Sequence, residues 1–190
     1  MTWANSMPPP VDVSFEPQIA PPWLVHVRAG GLYGQTVNSE QPIRIQDPGQ
    51  AGTIRSFAAA MGKDNSIVAW IEQEGEGNRL MVRALLPEGP SQAWTQLASG
   101  IASTNVRIVT DPDGRIYILD ASLGEEGDVH ITAWDGPENK VERVALDTSG
   151  MPSISPFTAV IIKEGLHLFM VSTVDERVDV IDLVYQLDTF

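Results

Sequence analysis

Positions 107–119 carry the stretch RIVTDPDGRIYIL, which is typical of two apolar β-strands joined by a tight polar turn. Within it, Asp111-Pro-Asp-Gly114 predicts the turn, because proline presets one backbone angle and glycine accepts the positive φ that a hairpin needs. The same strand–turn–strand pattern recurs at residues 57–70 and 158–169. The chain is therefore predicted to repeat one structural unit.

The repeat has a regular spacing and extends beyond the hairpin. The second strand of each copy begins at Ile67, Ile116 or Leu166, at intervals of 49 and 50 residues. A third predicted strand follows at residues 79–84, 128–133 and 177–182, and a fourth at 94–97 and 141–144. A partial earlier unit includes residues 23–27, 32–33 and 43–45. These patterns predict an all-β antiparallel fold built from four-stranded units of about 49 residues.

Four strands every 40 to 50 residues resemble the β-propeller repeat class, over residues 23 to 187. No named family within the class matches, because Trp134-Asp135 occurs once only, the sialidase-type Ser-x-Asp-x-Gly-x-x-Trp box is absent and Gly30-Gly31 is the lone double glycine. The resemblance thus implies a fold and no activity. We expect a small or incomplete β-propeller at residues 23–190, with a β-sandwich as the alternative architecture.

Residues 1–22 form a separate, proline-rich segment in which only Val11-Asp-Val-Ser-Phe15 alternates like a strand. Proline at this density disfavours helix and favours an extended arm, which is either a flexible tail or a docking element. Three large aromatic residues in and next to it favour docking. The residues predicted to bind a partner are Trp3, Pro8, Pro9, Pro10, Phe15 and Trp23.

The repeat count leaves the ring incomplete, because the final unit stops after its third strand. Either a small four-bladed ring closes with residues 11–15 lending a strand, or sheet edges remain open and require a partner. The last predicted strand, residues 178–187, changes its apolar register at Val180-Ile181. That change predicts a bulge or a strand buried on both faces.

Composition excludes several classes of function. The chain of 190 residues has 12 Lys and Arg against 25 Asp and Glu, a formal net charge of −13, which disfavours nucleic acid as a partner. It has no cysteine, which excludes disulfides and thiolate metal sites. No apolar run approaches the ~20 residues of a membrane span and no signal peptide is evident, so we expect no membrane insertion. The compartment stays open, and an extracytoplasmic or complex-associated location is compatible with the sequence.

No catalytic or metal-binding constellation is predicted, and no cofactor. His26, His130 and His167 each lie inside a predicted strand and are expected to be ordinary half-exposed residues. Asp111 and Asp113 are better explained by the turn than by calcium. Glu72, Glu74 and Glu76 are expected to form a solvated hairpin tip.

The other marked residues have structural interpretations. Trp70, Trp94 and Trp134 are expected to fill the wedges between units rather than to stack on sugars. Residues 56–61, with three consecutive alanines, are the best helix candidate, although the segment is too short to be stable alone.

These observations favour a non-catalytic interaction or structural subunit that docks on a larger assembly through its arm and sheet edges. The partner would be another protein or a second copy of the chain. The alternative is a carbohydrate-binding propeller or a glycoside hydrolase, and a third reading is a propeller that binds basic peptides. An enzymatic role is less favoured but stays open.

Overall fold

The computed structural model describes residues 18–20, 22–36, 38–46, 52–124, 126–136, 142–149, 151, 153–163, 165–174 and 177–187. Within these ranges the protein is all-β, with fifteen strands in four antiparallel sheets and no α-helix. The described part accordingly has no helix long and apolar enough to cross a membrane.

The four sheets follow one another along the chain, and the strands within each sheet pair in sequence order. Sheet 1 contains β1 Gln18–Ala20, β2 Trp23–Arg28, β3 Gly31–Thr36 and β4 Ile43–Arg44. Sheet 2 contains β5 Thr53–Met61, β6 Ser66–Glu74, β7 Gly77–Leu86 and β8 Gly89–Ile101. Sheet 3 contains β9 Asn105–Thr110, β10 Ile116–Ala121, β11 Val129–Trp134 and β12 Arg143–Ala145. Sheet 4 contains β13 Phe157–Ile162, β14 Gly165–Val174 and β15 Arg177–Gln186.

The sheets are arranged as consecutive blades of a propeller. The first strands of successive sheets are neighbours, since β1 contacts β5, β5 contacts β9 and β9 contacts β13. The predicted small, incomplete propeller of repeated antiparallel units is thus confirmed, with sheets of three or four strands.

Three apolar clusters fill the spaces between successive sheets. Trp23 and Trp70 are buried in the cluster between sheets 1 and 2. Trp134 packs with residues of β6, β7, β9 and β10 between sheets 2 and 3. Leu119 and Leu168 belong to the cluster between sheets 3 and 4. Each internal sheet therefore buries both of its faces, and the tryptophans fill the wedges as their positions at strand ends predict.

The Asp111–Gly114 turn also ties two sheets together. Its Gly114 has φ of +81°, and the Gly114 carbonyl accepts a hydrogen bond of 3.2 Å from the Lys63 amide in the β5–β6 turn. A Cβ atom at Gly114 would lie 2.9 Å from the Lys63 backbone nitrogen. Glycine is thus required there both by its φ and by the close approach of the neighbouring sheet.

Three local expectations need correction or adjustment. Residues 56–61 are not a helix but part of β5, because their alternate side chains pack between neighbouring sheets. The last strand has no bulge, since β14 and β15 pair in continuous register from Gly165–Gln186 to Val174–Arg177, and it is not buried on both faces. Strand β1 lies within the 1–22 segment assigned to the arm, so the end of that segment supplies the innermost strand of sheet 1.

Candidate functional site

A buried ion pair lies at the end of β6, where the sequence suggested a solvated hairpin tip. Glu72 is only 2% exposed, and its Oε1 is 2.5 Å from Nε of Arg79 on β7. Gln46, in the segment that leads from sheet 1 into sheet 2, donates a hydrogen bond to Oε2 of Glu72. The solvated-tip prediction is wrong for Glu72 and holds for Glu74 and Glu76, which are exposed.

Sheet 3 repeats this arrangement around a different acid. Asp120 on β10 is completely buried and its Oδ2 lies 2.6 Å from Nη2 of Arg143 on β12. Ser103, in the segment that leads from sheet 2 into sheet 3, donates a hydrogen bond of 2.6 Å to the same carboxylate oxygen. Asn78 on β7 in turn donates to the Ser103 carbonyl at 3.0 Å.

The Glu72 and Asp120 clusters are built in the same way. In each, a carboxylate on the second strand is held by an arginine of its own sheet and by a polar side chain from the incoming connection. Because the guanidinium groups and these side chains engage the carboxylate oxygens, neither acid is placed as a free nucleophile or proton donor, as a glycosidase would need. The clusters anchor each sheet to the segment that enters it.

The other candidate groups occupy structural positions. Asp111 accepts a hydrogen bond of 2.8 Å from the Arg115 amide, and the Gly114 amide donates to the Asp111 carbonyl, which fits the turn interpretation. His26, His130 and His167 all lie in strands and are partly buried. In the parts of the chain that the structure describes, no three His, Asp or Glu side chains gather as a metal site would require.

The predicted partner-binding residues divide into two groups. Trp3, Pro8, Pro9, Pro10 and Phe15 lie outside the described residues. Trp23 begins β2, is 1% exposed, and its indole Nε1 donates a hydrogen bond of 3.2 Å to the Leu86 carbonyl. Trp23 thus contributes to the core between sheets 1 and 2.

Within the described residues, the outer face of sheet 4 has several exposed aliphatic side chains. The antiparallel register places one set of side chains on the face that points away from sheet 3. Val180 is 70% exposed there, and the other exposed aliphatic residues of this last-sheet face are Val160, Ile162, Val171 and Val184. His167 stacks on Phe169 beside them, and its Nδ1 lies 3.1 Å from Oδ2 of Asp182.

The outer face of sheet 1 is also uncovered, at the opposite end of the series of sheets. Ile19 is 73% exposed and pairs with Leu24, which is 40% exposed. His26 stacks on Tyr33 across β2 and β3. Arg28 shares this first-sheet face by the strand register. Arg44 pairs with Tyr33 but lines a cleft with Gly52, Thr53 and Gln73, and its buried Nε has no hydrogen-bond partner among the described residues.

Shifted pKa values occur where sheet 4 meets its neighbours. Burial lowers the pKa of Arg107, whose Nε donates a hydrogen bond of 3.1 Å to the Phe157 carbonyl. Burial, together with the charge of Asp147, raises the pKa of Tyr185, whose hydroxyl donates to the Asp147 carbonyl at 2.8 Å. Hydrogen bonds from Ser149 lower the pKa of Asp147. The Arg107 contact joins sheet 3 to sheet 4 and the Tyr185 contact joins sheet 4 to the connection after β12, whereas the Ser149–Asp147 hydrogen bonds are local to that connection.

Comparison with solved structures supports the fold. The chain is similar to the tricorn protease, with 19% identity and a TM-score of 0.58 over 93% of this chain and 16% of that one. It is also similar to Zg3597, a family 117 glycoside hydrolase from the marine bacterium Zobellia galactanivorans, with 12% identity and a TM-score of 0.51 over 80% of this chain and 52% of that one. The chain therefore spans about a sixth and about half of these two proteins. No family model and no curated protein matches.

Proposed function

We propose that the protein is a non-catalytic interaction module that docks on a larger protein assembly. The observation that carries the proposal is the last-sheet face, whose valine and isoleucine side chains are exposed on a regular sheet. Contiguous exposed apolar surface of this kind marks interaction sites in soluble proteins. Apolar residues alternate along the strands of this face, as they do on the faces that sheets 2 and 3 bury against their neighbours.

The arm and the edge of sheet 4 at β15 belong to the same proposal. Within the described residues β15 is the outermost strand of sheet 4, and addition of a strand at such an edge is a common mode of protein recognition. The arm residues Trp3, Pro8, Pro9, Pro10 and Phe15 remain proposed partner contacts. Trp23 would act indirectly, by fixing the position of β2 and hence of the first-sheet face.

Size-exclusion chromatography with light scattering, in lysate of the cells that produce the protein, tests the proposal. We expect the wild-type chain in a complex larger than its own mass, and Val180→Lys combined with Val171→Lys to release it. Leu123→Lys is the matched control, because Leu123 is also exposed but lies in the β10–β11 connection. A wild-type chain that runs as a monomer in lysate and after purification would sink the proposal.

Carbohydrate binding is the second candidate, and the likeness to a glycoside hydrolase favours it. Trp23, Trp70 and Trp134 are buried in the core, which argues against their use as a sugar platform. Trp94 on β8 is half-buried and packs against the cluster between sheets 1 and 2. A glycan array combined with chromogenic glycosides separates the two candidates. Glycan binding or glycoside hydrolysis that Val180→Lys leaves unchanged would favour the carbohydrate hypothesis.

A further inference from the structure

A cleft opens between sheets 1 and 2, next to the β2–β3 and β6–β7 turns. Its volume is about 510 Å³, which is within the range of small-molecule sites. The described residues that line it include Gly30 and Gly75 in the two turns, Arg44 on β4, Gly52 and Thr53 at the entry to sheet 2, and Gln73 on β6. The last-sheet face does not contribute to this cleft.

Arg44 is the only charged residue among the described residues that line the cleft. Its Nε is buried and has no hydrogen-bond partner within the described parts of the chain. The two carboxylates beside the cleft in the sequence have another partner, since Glu72 and Glu74 both pair with Arg79. The Arg44 guanidinium therefore brings to the cleft a donor that no described residue uses.

A buried donor without an acceptor loses its hydrogen bond to water and gains none in return. Such groups are rare in native proteins, and a ligand or an ion that supplies the acceptor accounts for one. A guanidinium binds carboxylate or phosphate groups through two parallel hydrogen bonds. Arg44 supplies a single positive charge within a chain of net charge −13, which matches a carboxylate better than a doubly charged phosphate.

The rest of the described lining is small or polar and contains no aromatic or large aliphatic side chain. Thr53 supplies an exposed hydroxyl group. The Gln73 amide is held in place, because its oxygen accepts a hydrogen bond from Arg55 and its nitrogen donates to the Gly75 carbonyl at 3.3 Å. A Cβ atom at Gly30 or Gly75 would contact nothing within 4 Å, so both turns leave room beside the backbone. This lining suits a ligand with hydroxyl groups better than an apolar one.

We propose that the cleft binds a small hydroxylated carboxylic acid, of the sugar-acid class, whose carboxylate pairs with the Arg44 guanidinium. The hydroxyl group of Thr53 hydrogen-bonds to the hydroxyl groups of the ligand. Arg55 is a positioning residue, because it acts through the Gln73 amide. The site goes beyond the proposed docking function and does not depend on it.

Nuclear magnetic resonance of the isotopically labelled full chain tests the proposal, because it observes the Nε–H group of Arg44 directly. The probes are D-glucuronate and its uncharged counterpart D-glucose, at constant pH and ionic strength. We expect glucuronate to shift the Arg44 signal with a dissociation constant of ~1 mM, and glucose to bind about 10-fold or more weakly. Inorganic phosphate in a separate titration should also bind more weakly than glucuronate.

Arg44→Gln removes the charge and should raise the dissociation constant for glucuronate about 10-fold or more, followed through the backbone signal of Thr53. Arg28→Gln is the matched control, because it removes the same charge from an exposed arginine that ends β2 and is not among the described lining residues. This control should change the dissociation constant by no more than about two-fold.

Thermal denaturation separates ligand binding from a structural role of Arg44. Arg44→Gln should be at least as stable as the wild-type chain, because it removes a buried donor that has no partner. A structural arginine would instead lower the melting temperature when replaced, and that result would overturn the assignment.

The titrations have three further outcomes that would overturn the proposal. An Arg44 signal that glucuronate leaves unmoved would remove the site, and equal binding of glucose would remove the role of the carboxylate. Tighter binding of phosphate would give the site a different class of ligand. An equal loss of binding in Arg44→Gln and Arg28→Gln would show general charge attraction in place of a site. None of these results bears on the docking function, which Val180→Lys tests separately.

Discussion

At the scale of single residues, the buried Glu72–Arg79 pair gives the sharpest stability prediction. Arg79→Leu leaves the Glu72 carboxylate buried without its guanidinium, which costs about 3–5 kcal/mol. The double variant Glu72→Leu with Arg79→Leu should cost less than the single one, because no uncompensated charge remains. Urea denaturation measures both.

Glu76 provides the control for that experiment, because it is exposed at the tip of the same hairpin. Glu76→Gln should change the free energy of unfolding by no more than about 0.5 kcal/mol. If Arg79→Leu lowered the free energy of unfolding no more than Glu76→Gln does, the anchoring role of the pair would be contradicted.

Tyr185 predicts a dependence of stability on alkaline pH. Its folded pKa is raised above the ordinary 10.0, so the folded chain retains a proton that the unfolded chain releases. The stabilisation is complete below the unfolded pKa and is lost as the pH rises through the folded one. Tyr185→Phe should therefore flatten the fall in the free energy of unfolding above pH ~10, as measured by urea denaturation at several pH values. An equally steep fall in the variant would contradict this cause.

The roles of single residues were predictable from the sequence where they depend only on neighbouring residues in the chain. The Asp111–Gly114 turn and the strand positions of the histidines follow from turn chemistry and alternation. The burial of Glu72 does not, because its partner Gln46 is 26 residues away and belongs to the connection from another sheet. Carboxylates near a glycine-rich hairpin are usually solvated, and only the tertiary contact reverses that expectation.

At the scale of elements, substitution of glycine should destabilise the protein more in the β9–β10 hairpin, at Gly114, than in the β6–β7 hairpin, at Gly75. Gly114 and Gly75 both have positive φ, but only Gly114 has a neighbour where a Cβ would lie. Gly114→Ala should destabilise the protein by about 2–4 kcal/mol, because backbone strain and the clash with Lys63 add. Gly75→Ala should cost only the strain, about 1 kcal/mol or slightly more. Equal losses in thermal denaturation would show that the contact between the hairpins contributes nothing.

Strands were predictable as elements wherever alternation and turns agreed, and β11 at Val129–Trp134 lies within one residue of the predicted range 128–133. Two elements were not predictable in this way. The alanines of residues 58–60 suit helix in isolation, yet they lie in β5, where their small side chains fit between packed sheets. The register change at Val180-Ile181 suggested a bulge or burial on both faces, because apolar character alone does not distinguish a covered face from an exposed one.

At the scale of the whole molecule, the outer faces of sheets 1 and 4 have exposed apolar side chains among the described residues. The repeat spacing predicted the propeller class, since each unit buries its faces only against its neighbours. It did not predict which faces stay exposed, because that depends on how far the sheets turn about the axis. The proposed interaction function depends on these terminal faces being covered by protein.

A single introduced thiol tests that claim most directly, because the chain has no cysteine of its own. Val180→Cys places the thiol on the last-sheet face, and Leu123→Cys places one on an exposed connection as a reference. We expect the thiol at position 180 to be labelled much more slowly than the thiol at position 123. The difference should grow as the concentration of the purified chain, or of its complex from lysate, increases. Equal labelling rates at all concentrations and in lysate would show that the face is open to solvent and would contradict the account.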